Sequence, residues 1–191
     1  MTCIVGIIDK KNKSVIIGGD SAGTSGNDVT VRKDVKVFRN GDFLFGCTSS
    51  FRMTQLLRFK LKIPPVNKKD LYEYMCSDFV DAVRKCFKDG GYLKEDKGEE
   101  SGGVFLAAYK NRLFSVQSDF QVEETVNGIN AVGCGCNYAL GSVFALKNKK
   151  VPIHTIVETA LKAAENFSGA VRRPFVILST HYLQNINIKN F

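Results

Sequence analysis

The chain has 191 residues, 44% of them hydrophobic and 24% charged, the balance of a globular domain. No apolar run approaches the ~18 residues of a membrane span, and MTCIVGIIDKK lacks the basic start of a signal peptide, so a cytoplasmic protein with no membrane partner is expected. The net charge is +8, but Lys and Arg are scattered and do not alternate with aromatics, so nucleic acid is not an expected partner.

In chain order, Cys3 to Ile8 and Val15 to Ile17 predict a hairpin of nearly continuous apolar strands, covered on both faces. GGDSAGTSGN reads as a Gly- and Ser-rich loop. VKVFRNGDFLFGC predicts two strands turning at Asn40–Gly41 in type I′ geometry. A helix is expected over 51–62, and after Pro64–Pro65 a second one with Asn67 as its cap. Leu71, Met75, Phe79, Val83 and Phe87 form an apolar stripe along that second helix, and Asp89-Gly90-Gly91 ends it. LKEDKGEESGG reads as a polar surface loop, and VFLAAYKNRLFSVQ as a third hairpin turning at Lys110–Asn111. A short strand over 130–132, helices over 137–146 and 153–164, and a final strand in PFVILST complete the chain. This order, with no repeat or linker, predicts one α+β domain over 1–191: two sheets packed face to face, with helices outside both.

Six cysteines are present. The pair in GCGC has no second pair or nearby His to complete a ligand set, so no metal site is expected, and the cysteines read as reduced, buried small residues. Only His154 and His181 could serve a Ser-His-Asp arrangement. Thr2 offers another chemistry. With Met1 removed, it carries a free amine and a hydroxyl on one residue. An α-amine titrates at about pH 7.7–8.0 and can act as base for the neighbouring hydroxyl. The strand directly behind Thr2 fixes it in place. A nearby Lys lowers the pKa of such a nucleophile. Lys36 in VKVFR is the candidate, with Asp20 at the end of VIIGGD to hold it; the alternatives are a solvent-facing Lys and a turn Asp.

MTCIVGI, IIGGDSAGTSGN and DVKVF together resemble the opening of the proteasome β-type and HslV-like N-terminal-nucleophile hydrolases. GCGCNYALGSVFAL is similar to a GSGGNYAL-type segment of that family, and ENFSG to its D-x-x-S-G segment. The likeness runs from Thr2 to about Gly169, with little specific signal over 55–100. It implies a four-layer αββα sandwich and a threonine peptidase assembled from copies of itself as a ring, acting on peptides or unfolded polypeptides without a cofactor. A separate ATP-dependent unfoldase is the implied partner, since G-x-x-x-x-G-K-[ST] is absent from this chain. By position, the resemblance makes Thr2 the nucleophile, Asp20 and Lys36 its supporting pair, and the Ser49 N–H the oxyanion donor. Thr24 is the implied strand-addition contact for substrate, and Gly23, Cys47 and Phe51 border the pocket for the residue before the cut. Cys134, Glu165 and Ser168 complete the implied catalytic set. The departures are Cys134 where Ser is common, Glu165 where Asp is usual, and Ser49 in place of Gly. An inactive ring former of the same fold is therefore an alternative. A second is an amidotransferase, suggested by CIVGI, in which Cys3 would have to become terminal.

Overall fold

The computed structural model describes residues 2–67 and 70–181. Strands β1 (Ile4–Asp9) and β2 (Ser14–Gly19) form the opening hairpin. GGDSAGTSGN is not an open loop: β3 (Ala22–Ser25) and β4 (Asp28–Val31) make a second hairpin. Gly26 at its tip has φ 57°, which suits a residue without Cβ. The next pair, β5 (Val37–Asn40) and β6 (Phe43–Cys47), turns at Gly41–Asp42, one residue later than expected. Only Gly41 has positive φ there, so the turn is not type I′, which needs it at both central residues.

Helix α1 (Phe51–Phe59) is capped by the Ser50 hydroxyl. The second helical stretch comprises α2 (Leu71–Tyr74), a π-helical turn (Met75–Phe79) and α3 (Val80–Asp89). Its cap is Asp70 rather than Asn67, with the Asp70 carboxylate accepting from Tyr72 N and Glu73 N. The π turn explains the strict four-residue stripe. A spacing of four drifts about 40° per step around an α-helix, and one wider turn reverses that drift. Met75, Phe79, Val83 and Phe87 are accordingly all buried.

LKEDKGEESGG also holds a hairpin, β7 (Lys94–Asp96) and β8 (Glu99–Ser101), turning through Lys97 and Gly98 with φ 51° and 85°. Its exposed charged strands carry no apolar alternation to betray them. Strands β9 (Phe105–Tyr109) and β10 (Arg112–Val116) turn at Lys110–Asn111 as expected, and β11 (Val122–Glu123), too short to read, follows. The rest is β12 (Ile129–Val132), α4 (Cys136–Leu146), α5 (Ile153–Phe167) and β13 (Val176–Ser179).

Two antiparallel sheets result, ordered β12-β1-β2-β13 and β11-β10-β9-β6-β5. Three apolar clusters define four layers. Ile4, Ile17, Val37, Leu44, Leu106 and Leu113 pack between the sheets. Cys3, Val5 and Ile7 pack on α4 and α5, and Phe45, Phe105 and Phe114 pack on the helices that start with α1. This is the αββα sandwich. A side chain on Gly19 or Gly46 would collide with Ile4, so both glycines let the sheets close around that residue. The period of two along β1 sends Cys3, Val5 and Ile7 toward the helices and Ile4 into the sheet–sheet space. Thr2 continues that alternation on the side of Ile4. Among the described residues, no helix is long and apolar enough to cross a membrane.

Candidate active site

Thr2 is buried, with 4% of its surface exposed, and lines a cavity of about 70 Å³. The backbone pins it: its carbonyl accepts from Gly135 N at 3.2 Å, and a Cβ on Gly133 would lie 2.3 Å from the same oxygen. Gly133, at φ 97°, is thus the only residue type that fits against Thr2.

Strand β2 ends beside this point and delivers Asp20. Its Oδ1 accepts from Lys36 Nζ at 2.8 Å and from Cys3 N at 3.0 Å, while Oδ2 accepts from Ala22 N at 2.9 Å and Arg172 N at 3.3 Å. Four donors on one carboxylate leave it a single orientation. Lys36, immediately before β5, has 3% of its surface exposed and faces the same cavity as Thr2. It is not the solvent-facing Lys that its sequence context allowed. Burial pulls its pKa below the usual Lys value, against the opposing pull of Asp20.

Of the residues singled out in sequence, Thr2, Thr24, Lys36, Cys47, Ser49 and Phe51 line the cavity together, joined by Thr48, Ser50 and Thr54. Ser49 adopts φ 59°, the left-handed conformation that favours Gly. Its hydroxyl is tied back, accepting from Val104 N at 3.0 Å, so the side chain has a fixed place despite replacing a glycine of the resembled family. Cys47 lies at the cavity floor, where burial raises its thiol pKa.

The opposite flank is looser. Cys134 is exposed; its Sγ lies 3.3 Å from Thr2 N, 3.5 Å from the Thr2 carbonyl oxygen and 3.7 Å from Ser168 Oγ. Cys134 and Ser168 are thus brought to Thr2 in series. Glu165 is not among the cavity residues. It holds Arg173, accepting from the backbone N at 2.8 Å and from Nη2 at 2.5 Å, and this pairing keeps its carboxyl below the usual Glu pKa. Gly23, expected to border the pocket, is also not among the cavity residues; it lies under the side chain of Arg32, whose guanidinium is 3.9 Å from the Phe51 ring centre. Arg32 and Arg173 were not foreseen. Neither falls in a motif, and both reach their partners through loop geometry. Among the described residues, no group of His, Cys, Asp and Glu could hold a metal ion.

No protein-family model matches the chain. It is 26% identical over 171 residues to the ATP-dependent protease subunit HslV of Sulfurihydrogenibium sp. (strain YO3AOP1), covering 88% of this chain and 91% of that one. In structure it is similar to Thiobacillus denitrificans BPH in complex with epoxomicin: TM-score 0.76, 20% identity, 92% of this chain and 97% of the other. It is also similar to the eukaryotic HslV of Trypanosoma brucei, with TM-score 0.64, 16% identity and coverage of 93% and 98%. The chain is HslV-like in sequence and in fold. HslV likeness and the αββα sandwich thus agree with the expectation from MTCIVGI and the motifs after it.

Proposed function

We propose that this HslV-like subunit is a threonine endopeptidase whose nucleophile is Thr2 after loss of Met1. The observation that carries the reading is the burial of Thr2 in one cavity with a Lys36 clamped by a four-fold bonded Asp20. The Thr2 hydroxyl oxygen attacks the peptide carbonyl carbon, and its proton passes to the Thr2 amine. The carbonyl oxygen takes the negative charge and accepts from Ser49 N–H. Collapse expels the amine half of the substrate, which leaves with the proton held by the Thr2 amine. Water, deprotonated by the same amine, then cleaves the ester and frees the enzyme. Lys36 lowers the cost of the developing anions. Thr24 pairs with an extended substrate backbone, a mode that accepts many sequences. Cys134 and Ser168 orient the amine.

A peptidase with so little sequence discrimination must be kept from folded proteins. The 26% identity to an ATP-dependent protease subunit supports a ring of copies of this single-domain chain, fed by a separate ATPase in the cytoplasm. The test is intact mass and labelling of natively expressed protein. Loss of one Met, together with a covalent epoxomicin adduct that Thr2→Ala abolishes, supports the reading. Met1 retained on every molecule overturns it. An inactive ring former is the second reading, favoured by the engagement of Glu165 with Arg173 and by the sulfur at Cys134.

A further inference from the structure

Arg32 follows β4 directly, and its backbone N donates to Ser21 O at 2.9 Å, which fixes the start of its side chain. The stem lies flat on Gly23: a Cβ there would be 2.4 Å from Arg32 Cδ. The guanidinium rests 3.9 Å from the centre of the Phe51 ring. Its Nε and Nη2 donate to the two oxygens of Asp34 at 2.8 and 2.7 Å. Phe51 is a wall of the Thr2 cavity, and Asp34 is close enough to Lys36 to feel its charge. An aromatic face and a carboxylate set to take a guanidinium bidentately form a receptor for a basic side chain. In this chain the receptor is filled from within. An exposed ion pair two residues apart needs neither the ring nor the glycine beneath it; here both are present.

We propose that Arg32 is a built-in mimic of a basic substrate side chain, occupying an Asp34–Phe51 subsite beside Thr2 and so excluding Arg and Lys from the position before the cut. The proposal rests on the peptidase reading for its meaning but not for its test. With Arg32 in place, the cavity offers small and uncharged side chains the remaining room, and Lys36 on its wall together with Arg32 over the Phe51 ring repels basic ones. Removal of Arg32 leaves Asp34 and the Phe51 face open to a substrate guanidinium. A charge-assisted bidentate contact of this kind shifts preference on the order of tenfold or more.

The experiment compares wild type, Arg32→Ala, Asp34→Asn and the double variant on fluorogenic peptides with Ala, Leu or Arg before the scissile bond. Arg32→Ala is expected to raise kcat/KM for the Arg peptide about tenfold relative to the Leu peptide, and Asp34→Asn in that background to remove the gain. An unchanged Arg-to-Leu ratio in Arg32→Ala, or a gain that survives Asp34→Asn, overturns the proposal. In parallel, anisotropy of fluorescent peptides ending in Arg or Leu reads binding alone. Absence of cleavage by every form, with tighter Arg-peptide binding by Arg32→Ala and loss of it in the double variant, overturns the peptidase reading and sustains the subsite. No differential binding and no differential cleavage overturn the subsite whether or not the protein is active.

Discussion

The two flanks of Thr2 are built differently. On one side, Asp20 and Lys36 are almost wholly buried, their contact is 2.8 Å, and every lone pair of the carboxylate has an obvious donor. On the other, Cys134 is exposed, its contacts run from 3.3 to 3.7 Å, and Glu165 faces Arg173. The first flank is made from strand ends inside the sandwich, where packing leaves one geometry. The second is made from the loop before α4 and the end of α5, where side chains choose partners from the surface. The buried flank should therefore dominate both activity and stability, and the exposed flank should tune them.

The largest effect is expected at the point where the flanks meet. Thr2→Ala should lower peptide cleavage by at least about 10³-fold while the circular dichroism spectrum stays the same. Retained cleavage would move the chemistry elsewhere in the cavity. On the buried flank, Lys36→Met should leave the buried Asp20 without its cation, costing about 3–5 kcal/mol in urea unfolding together with most of the activity. Adding Asp20→Asn to Lys36→Met should recover part of that stability and none of the activity. Additive destabilisation in the double variant would mean the pair is not coupled in the way its 2.8 Å contact implies.

The exposed flank should respond in the opposite sense. Cys134→Ser substitutes a stronger, shorter-reaching hydrogen-bonding group at the Thr2 amine, and kcat should rise a few-fold. Alkylation of Cys134 should abolish cleavage in wild type and leave Cys134→Ser untouched. Arg173→Ala frees Glu165 from a pair whose Arg is 65% exposed, so stability should change by less than about 1 kcal/mol. A change in kcat of more than a few-fold would show that Glu165, once released, reaches the Thr2 side.

The same contrast governs what could be read in the sequence. The paired sheets were legible because β1, β2, β6 and β9 are nearly continuous apolar runs, and the outer helices because their apolar residues recur on one face. The hairpins β3–β4 and β7–β8 were not: β3 is four residues of small and polar type in a Gly- and Ser-rich stretch, β4 is exposed along its whole length, and the charged β7 and β8 bury no apolar side chain. Asp20 and Lys36 stood out as charges beside apolar runs, just past the end of β2 and just before β5, and they meet because the two sheets carrying those strands pack face to face. The capture of Glu165 by Arg173, and the seat of Arg32 on Gly23 and Phe51, depend on where loops return. No local spacing encodes that return, so the resemblance could supply a position for Glu165 but not its partner.

The buried flank also carries two groups whose effects on alkaline stability have opposite sign and offset one another, so the net change there is small. Cys3 donates its backbone N–H to Asp20, and its thiol is pushed up to about 12, by burial first and then by the Asp20 charge. The thiol is neutral in the folded and unfolded chain below the unfolded value of 9.0. Above it, only the unfolded chain loses the proton, so this contribution to stability is lost as pH rises, by at most about 1.4 kcal/mol per pH unit. Lys36 runs the other way. Its folded pKa is depressed by burial, so the folded chain sheds its proton first, and stability is gained between that pKa and the unfolded value of 10.5. Urea midpoints between pH 8 and 10.5 should fall more gently in Cys3→Ala than in wild type, and more steeply in Lys36→Met. Parallel slopes for all three proteins would mean that neither group titrates differently in the folded chain. The rigid flank would then owe its order to hydrogen bonds alone rather than to the charges buried within it.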